Sequence, residues 1–493
     1  MRQPPDDHAT VPFPTAPVSN MEWCPEGLTT KQQQVAKLIA EETATRARRL
    51  GLTRAQFLRT AAATTTAFMV MNKVYGLDQS GDAAAMPVKK VHCDDPDAAR
   101  ELLDRKTFVM DVQQHHVDLK LFGETNPAFC FLDFTRSLPF LPHDVPCPQN
   151  IGQLSFVKEV FVDSETDVGV ISGLPGGTPL GPAAMADTRD LVNELAGSER
   201  CLAQAVCDPK NGPGTPTSVD SLEHQVRDRK ARALKSYTYN GFWRLDDEQV
   251  AYPMLAEASR LGLRLVNVHK GLPLIFDRNN LDAARMAVES VRTLDFPKVV
   301  QDWPKLKFCA YHSAYFQPQG VGAHPLGKSG VTEYLEVVQT IPKKLRRNVY
   351  TEIGSTFAFT FLQGPDQAAH LLGQLLKVFG SKNILWGTDS VWWGSPQWQI
   401  DAFKTLEIPA AMQEQFGYPA LTPKAKRRIL GENAANLYGV KTREKRCTVP
   451  ADRLAQMQLA QGGARAGRTL RWYGAQTRRD FLTLLRREAA LRG

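Results

Sequence analysis

From residue 107 to about residue 440 the chain repeats one unit, a short apolar run followed by a longer stretch with apolar residues at helical spacing. The apolar runs cover 107–113, 167–173, 200–207, 233–239, 264–269, 306–312, 348–353 and 383–389. Runs this short, bounded by turn residues, read as buried strands. The intervening patterns, such as Asp247–Leu261 and Asp366–Phe379, read as helices. Eight strands, each with room for a following helix, predict an α/β fold, a (β/α)8 TIM barrel with long βα loops. A doubly wound sheet is the runner-up. Insertions at 120–150, 174–198, 208–222 and 313–330 carry Pro and Gly, and most follow strands, on the side where a barrel keeps its active site. The barrel is expected to span 106–440 and to close with a helix over 424–439 that stops at Gly439.

The flanks have other patterns. Residues 1–30, rich in Pro and polar side chains, read as a disordered leader, and 31–105 as a helical N-terminal extension. Within it, Leu52–Arg59 followed by the mildly apolar Thr60–Met71 is similar to a twin-arginine export signal, with Ala55 where the second arginine belongs. Cytoplasmic and exported locations are therefore both carried forward. The apolar run is too short and too rich in Thr to span a membrane stably. Residues 441–493 form a basic tail, and its part Thr477–Leu491 reads as an amphipathic helix, solvated or docked on the protein.

Composition changes this picture at one point. The 493 residues carry a formal charge of +8, but thirteen Lys/Arg against four Asp/Glu after residue 440 supply +9, leaving the body at −1. The basic character belongs to the tail, and no basic stripe with aromatic platforms supports a nucleic-acid partner. Eight scattered cysteines, with no CxxC pair, read as small buried thiols.

Candidate chemistry sits where strands end. The first strand runs out into Asp111, Gln113, His115, His116 and Asp118, the fifth ends in His269, the sixth in His312 and the eighth in Asp389. In a barrel these C-terminal ends form one ring, so residues distant in sequence converge there. One histidine at a strand end is usually a satisfied polar residue. Histidines at three equivalent ends, with an aspartate at a fourth, favour a metal site over coincidence.

The ordered set Asp-Val-x-x-His at 111–115, Asn-Val-His-Lys-Gly at 267–271, Tyr-His-Ser at 311–313, Trp-Gly-Thr-Asp at 386–389 and the closing Ile-Leu-Gly-Glu-Asn-Ala-Ala-Asn-Leu-Tyr-Gly resembles the amidohydrolase superfamily. The nearest branch is the metal-dependent hydrolases that include aminocarboxymuconate-semialdehyde decarboxylase. The resemblance implies one divalent metal, zinc before manganese or iron. Its ligands would be the two histidines of a His-x-His on the first strand, the fifth-strand His269 and the eighth-strand Asp389, with His312 as acid/base or electrophile. It also implies a small-molecule substrate and, in many members, a homodimer. The His-x-His falls on Gln113 and His115, which strand alternation puts on one face. Gln113 offers a neutral carbonyl oxygen, closer to what harder cations accept. Three readings follow: weak ligation by Gln113, substitution by His116 through a bulge, or a site without metal. A retained site of weakened affinity or shifted metal preference is the favoured one.

The expected chemistry is hydrolysis of a C–N or C–O bond, with Asp389 as general base and His312 polarising or protonating the substrate oxygen. A non-oxidative decarboxylase on the same site and a catalytically impaired binding barrel are the alternatives. Lys235 reads as a surface or substrate-contacting lysine, Lys270 as facing a substrate carboxylate, and Glu352 as holding a histidine from behind. Trp392 and Trp393 would wall the pocket or pack a loop. His92, His143, His224, His324 and His370 show no partner pattern.

Overall fold

The structure, a computed structural model, describes residues 9–19, 25, 27–77, 84–103, 107–118, 151–177, 180–272, 281–316, 330–442, 452–470, 472, 475, 477–479 and 481–482. The loop expected at 120–150, most of that at 313–330, His143, His324 and most of the helix expected at Thr477–Leu491 lie outside the described residues.

The strands are β1 (Met110–Gln114), β2 (Val168–Ile171), β3 (Cys201–Ala203), β4 (Ala205–Val206), β5 (Leu234–Tyr237), β6 (Leu265–His269), β7 (Lys307–Tyr311), β8 (Val349–Glu352) and β9 (Ile384–Leu385). They pair in parallel as β1-β2-β3 and as β4 through β9 in sequence order. β3 and β4 are one barrel strand divided at Gln204. The Gln204 N–H donates to Ile171 O (3.1 Å) on one side, and the Ala205 N–H donates to Ala233 O (2.7 Å) on the other. The last strand meets the first through Val112 N–H to Trp386 O (3.0 Å) and Asp389 N–H to Gln113 O (2.9 Å). Eight strand positions thus follow one another round a ring, at the segments the apolar runs predict.

The closing helix region presses on the end of the ring away from the site. A side chain at Gly431 would meet Phe108 O at 2.6 Å, and Asn433 Nδ2 donates to Ile384 O at 2.8 Å.

The N-terminal extension forms an outer layer. Helices α1 (Thr30–Arg49) and α2 (Arg54–Leu58) each start with a Thr/Gln capping box, at Thr29/Gln32 and Thr53/Gln56. α3 (Ala61–Tyr75) starts on Thr60 and stops at Gly76 in the left-handed region. α4 (Lys90–Asp94) and α5 (Pro96–Leu103) complete the layer. The stretch similar to an export signal is built into this layer: Phe57, Leu58, Ala62, Ala63 and Phe68 are fully buried. Phe68 lies 5.8 Å edge-on to Phe361 of the barrel helix Thr356–Gln363, and Phe13 stacks on Trp398 at 5.5 Å. Among the described residues no helix is long and apolar enough to cross a membrane.

The basic tail docks through its charges. Arg465 is buried against Asp401 (Nε to Oδ2, 2.8 Å), and Arg468 donates to Leu58 O (3.2 Å) while its own carbonyl accepts from Arg59 Nε (3.2 Å). Ser19 N–H donates to Ala475 O (2.9 Å), so the two flanking segments touch each other as well as the barrel.

Candidate active site at the barrel mouth

Strand alternation divides the two histidines of β1. His115 turns into the ring. His116 turns outward, with Nε2 2.8 Å from Thr188 Oγ1 and its ring against Phe156. Burial pulls the His116 imidazole down to about 4. The β1–β2 register shifts between Asp111 and Gln114, yet His116 stays on the outer face, so it does not take the place of Gln113. Asp111 joins the first and last strands: its carboxylate accepts from the Gln113 and Thr388 N–H groups (3.1 Å each) and from the Thr388 hydroxyl. Burial outweighs these bonds and pushes Asp111 up to about 7.

Inside the mouth, Gln113, His115, His312 and Asp389 form one buried network. Asp389 Oδ1 lies 3.2 Å from His115 Nε2 and 3.1 Å from Gln113 Nε2, and Asp389 Oδ2 accepts from Ser355 Oγ at 2.5 Å. The same Gln113 amide nitrogen lies 3.1 Å from His312 Nε2. Burial alone would raise Asp389. The His115 hydrogen bond, the nearby histidines and the Ser355 hydroxyl win, and its carboxyl sits below the ordinary aspartate value.

Each imidazole of the mouth is fixed from behind by a main-chain carbonyl. His115 Nδ1 meets Ser172 O at 2.7 Å, His312 Nδ1 meets Gly354 O at 2.9 Å, and His269 Nε2 meets Leu272 O at 2.9 Å. A carbonyl only accepts, so each of those nitrogens carries a hydrogen, and in His269 and His312, which burial keeps neutral, the other ring nitrogen keeps a lone pair. For His312 the lone pair on Nε2 accepts from the Gln113 amide. Burial draws His312 down to about 4 against the pull of Asp389, which favours a neutral ring that accepts at Nε2. His269 is drawn well below the ordinary histidine value by burial, then by the charges of His312 and Lys235. Its ring lies 4.5 Å from that of His312 and packs on Tyr237 and Tyr239, so it joins the network through His312.

The His115–Asp389 contact tests whether a cation fits. With hydrogen on Nδ1, a neutral His115 would point a lone pair at a carboxylate oxygen 3.2 Å away. That contact is repulsive unless positive charge lies between the atoms, either a second proton on His115 or a metal ion. Orientation of ligand histidines by backbone carbonyls is the usual support of a metal site. Gln113 Oε1 is a buried oxygen with no hydrogen-bond partner. Among the described residues, no three His, Cys, Asp or Glu side chains gather as a metal-binding group. His115 and Asp389 are thus two donors that fit a divalent cation, and the Gln113 oxygen could be a third only with its amide turned from its present orientation.

Other predicted roles move. Lys270 faces away from the mouth, bound to Asp295 Oδ2 (2.7 Å) and to the carbonyls of Ser290 and Arg292, which removes it as a substrate contact. The alternation that aims His269 inward sends its neighbour outward. Lys235 is not on the surface: its ammonium is buried 3.6 Å from the centre of the Tyr311 ring and 4.8 Å from that of Tyr237. Glu352 accepts from the His312 N–H at 3.1 Å, and burial pushes it up to about 8. Trp393 packs edge-on against Phe359 within the outer layer, and Trp392 lies against the same layer. His224 pairs with Asp228 on the surface and His370 packs on Phe416. The four described cysteines, Cys93, Cys201, Cys207 and Cys309, are buried free thiols.

Ser355 is the residue the sequence did not single out. Only its place just past the seventh strand position could have marked it. Like Asp389 (φ +57°), His312 (+60°), Ser313 (+51°) and Ala314 (+55°), it holds a left-handed backbone (+54°) without being glycine. Such conformations cost about 1–3 kcal/mol each and gather at functional sites.

Residues 184–440, just over half of the chain, match the amidohydrolase family. The chain belongs to the amidohydrolase family. This amidohydrolase-family enzyme is similar in fold to an uncharacterised TIM-barrel protein from Bordetella bronchiseptica (17% identity, 67% of this chain and 98% of that one, TM-score 0.40). It is also similar to 5-carboxyvanillate decarboxylase from Sphingomonas paucimobilis (13%, 68% and 100%, TM-score 0.41). A third is a probable 2-pyrone-4,6-dicarboxylic acid hydrolase from Acinetobacter baumannii (14%, 67% and 99%, TM-score 0.38). No curated protein matches the chain. The family match begins after β2, so β1 with Gln113 and His115 lies outside it.

Proposed function

We propose that the protein hydrolyses a C–N or C–O bond of a small organic molecule with one divalent cation at the barrel mouth, zinc, manganese or iron. The observation that carries this reading is the buried Asp389 carboxylate, with one oxygen facing His115 Nε2 at 3.2 Å and the other held by Ser355. His115, Asp389 and Gln113 would hold the cation, with His269 beside them. When bound, it would supply positive charge that polarises a substrate oxygen and acidifies water. Asp389, ionised at neutral pH, accepts the proton of the attacking water and returns it to the leaving nitrogen or oxygen. Ser355 fixes the plane of the Asp389 carboxylate, with Oδ1 turned toward His115. His312, neutral and anchored to Gly354, accepts a hydrogen bond from the substrate or from Gln113 and keeps the ring of donors in register.

The test is metal analysis and calorimetric titration of purified protein, followed by a panel of amides, esters and lactones. About one equivalent of metal is expected, with turnover that chelation abolishes and re-addition restores. Protein that takes up no zinc, manganese or iron after loading would sink the reading. Carbon dioxide release without hydrolysis would turn it to decarboxylation.

A further inference from the structure

Gln113 stands between two sets of partners. On one side its amide nitrogen donates to Asp389 Oδ1 and His312 Nε2, both at 3.1 Å. That position brings the positive end of the amide to the carboxylate oxygen that a cation beside His115 would need. On the other side its Oε1 is buried with no hydrogen-bond partner. A Cβ added to Gly354 would fall 2.5 Å from Gln113 Oε1 and 2.5 Å from Glu352 Oε1, so these two oxygens border one spot that only glycine leaves open. Glu352 is held there by the N–H groups of His312 and Gly354.

A half-turn of the Gln113 amide exchanges its oxygen and nitrogen while leaving their places almost unchanged. In the turned state the oxygen takes the place beside Asp389 Oδ1 and His312 Nε2, and the NH2 group takes the place that borders the same spot as Glu352 Oε1. The buried amide oxygen would then gain a cation, and the amide hydrogens would exchange Asp389 and His312 for Glu352. We propose that the Gln113 amide is a two-position switch: its NH2 group ties Asp389 to His312 in the metal-free protein, and its oxygen turns onto the bound cation with Glu352 receiving the NH2. The proposal rests on the cation site proposed above. Its consequence is selectivity, because a neutral amide oxygen suits manganese better than an imidazole would and suits zinc less well.

Two measurements test it. In protein labelled with 15N at glutamine, the Gln113 side-chain resonance, assigned by its loss in Gln113→His, should move on zinc binding. By calorimetry, Gln113→His should tighten zinc about tenfold or more, and Gln113→Leu should weaken manganese by a similar factor. Metal binding to the parent with the Gln113 resonance unmoved would overturn the switch and leave the cation site standing. Zinc affinity unchanged in Gln113→His would overturn the selectivity. Failure of both parent and Gln113→His to bind any metal would overturn the switch and the cation site together.

Discussion

The barrel mouth and the outer helical layer are both buried, but they are held by opposite means. In the outer layer, Phe13, Phe68, Phe361 and Trp398 pack ring on ring, and α3, which carries Phe68, starts on the Thr60 cap and stops at Gly76. At the mouth, Gln113, His115, His312, Glu352 and Asp389 are buried polar groups, and Asp389, Ser355 and three consecutive residues from His312 hold left-handed backbone. The layer stabilises by removing apolar surface from water. The mouth costs stability, and the strand hydrogen bonds around it keep it formed. Stability and chemistry should therefore separate under mutation.

The largest effect belongs to the mouth. Asp389→Asn keeps the shape but removes the base, and kcat should fall about 10³-fold or more, with a melting temperature equal to or above that of the parent. Unchanged turnover would remove Asp389 from the chemistry. Phe68→Ala should do the reverse. It empties a fully buried aromatic site and should cost about 3–5 kcal/mol in denaturant unfolding, with kcat of the folded protein retained. If Phe68→Ala lowered kcat as steeply as stability, the layer and the mouth would not be separable.

Next comes Ser355. Ser355→Ala loses one hydrogen bond to a carboxylate, about 2 kcal/mol or roughly thirtyfold in kcat. Ser355→Gly loses the same bond but relieves the left-handed backbone, so it should match the alanine variant in kcat and exceed it in stability. A glycine variant with parental activity would mean that the hydroxyl does not hold Asp389.

The smallest effect is on pH dependence. Burial holds His116 and His312 at about 4, below the ordinary value near 6.5. Between those values the unfolded chain takes up protons that the folded chain refuses. Their contribution is complete above pH 6.5 and is lost as pH falls through 4. Melting temperature should drop over that range, and less steeply in His116→Gln. Parallel curves for the two proteins would show that His116 is not a source of the acid sensitivity.

The apolar runs located all eight strand positions because parallel barrel strands are buried on both faces, and burial is written directly in composition. The break at Gln204 was not legible, since one polar residue inside a run does not show which neighbour its backbone will pair with. At the mouth, alternation put Gln113 and His115 together and His116 apart, as the register in β1 required. The same rule, applied to His269 and Lys270, turns Lys270 outward, against the expectation drawn from its place beside His269. Ser355 escaped because its role depends on a left-handed turn after β8, and nothing in Gly354-Ser355-Thr356 announces one. The tautomer of His312 depends on the Gly354 carbonyl behind its ring, a contact between strand ends far apart in sequence.

The most direct test of the cation site is a crystal of the protein soaked with manganese and examined by anomalous scattering. One peak is expected at the mouth between His115 Nε2 and the Asp389 carboxylate, with the Gln113 oxygen turned toward it. A fully soaked crystal with no peak at the mouth, and Gln113 still bridging Asp389 and His312 through its nitrogen, would contradict it.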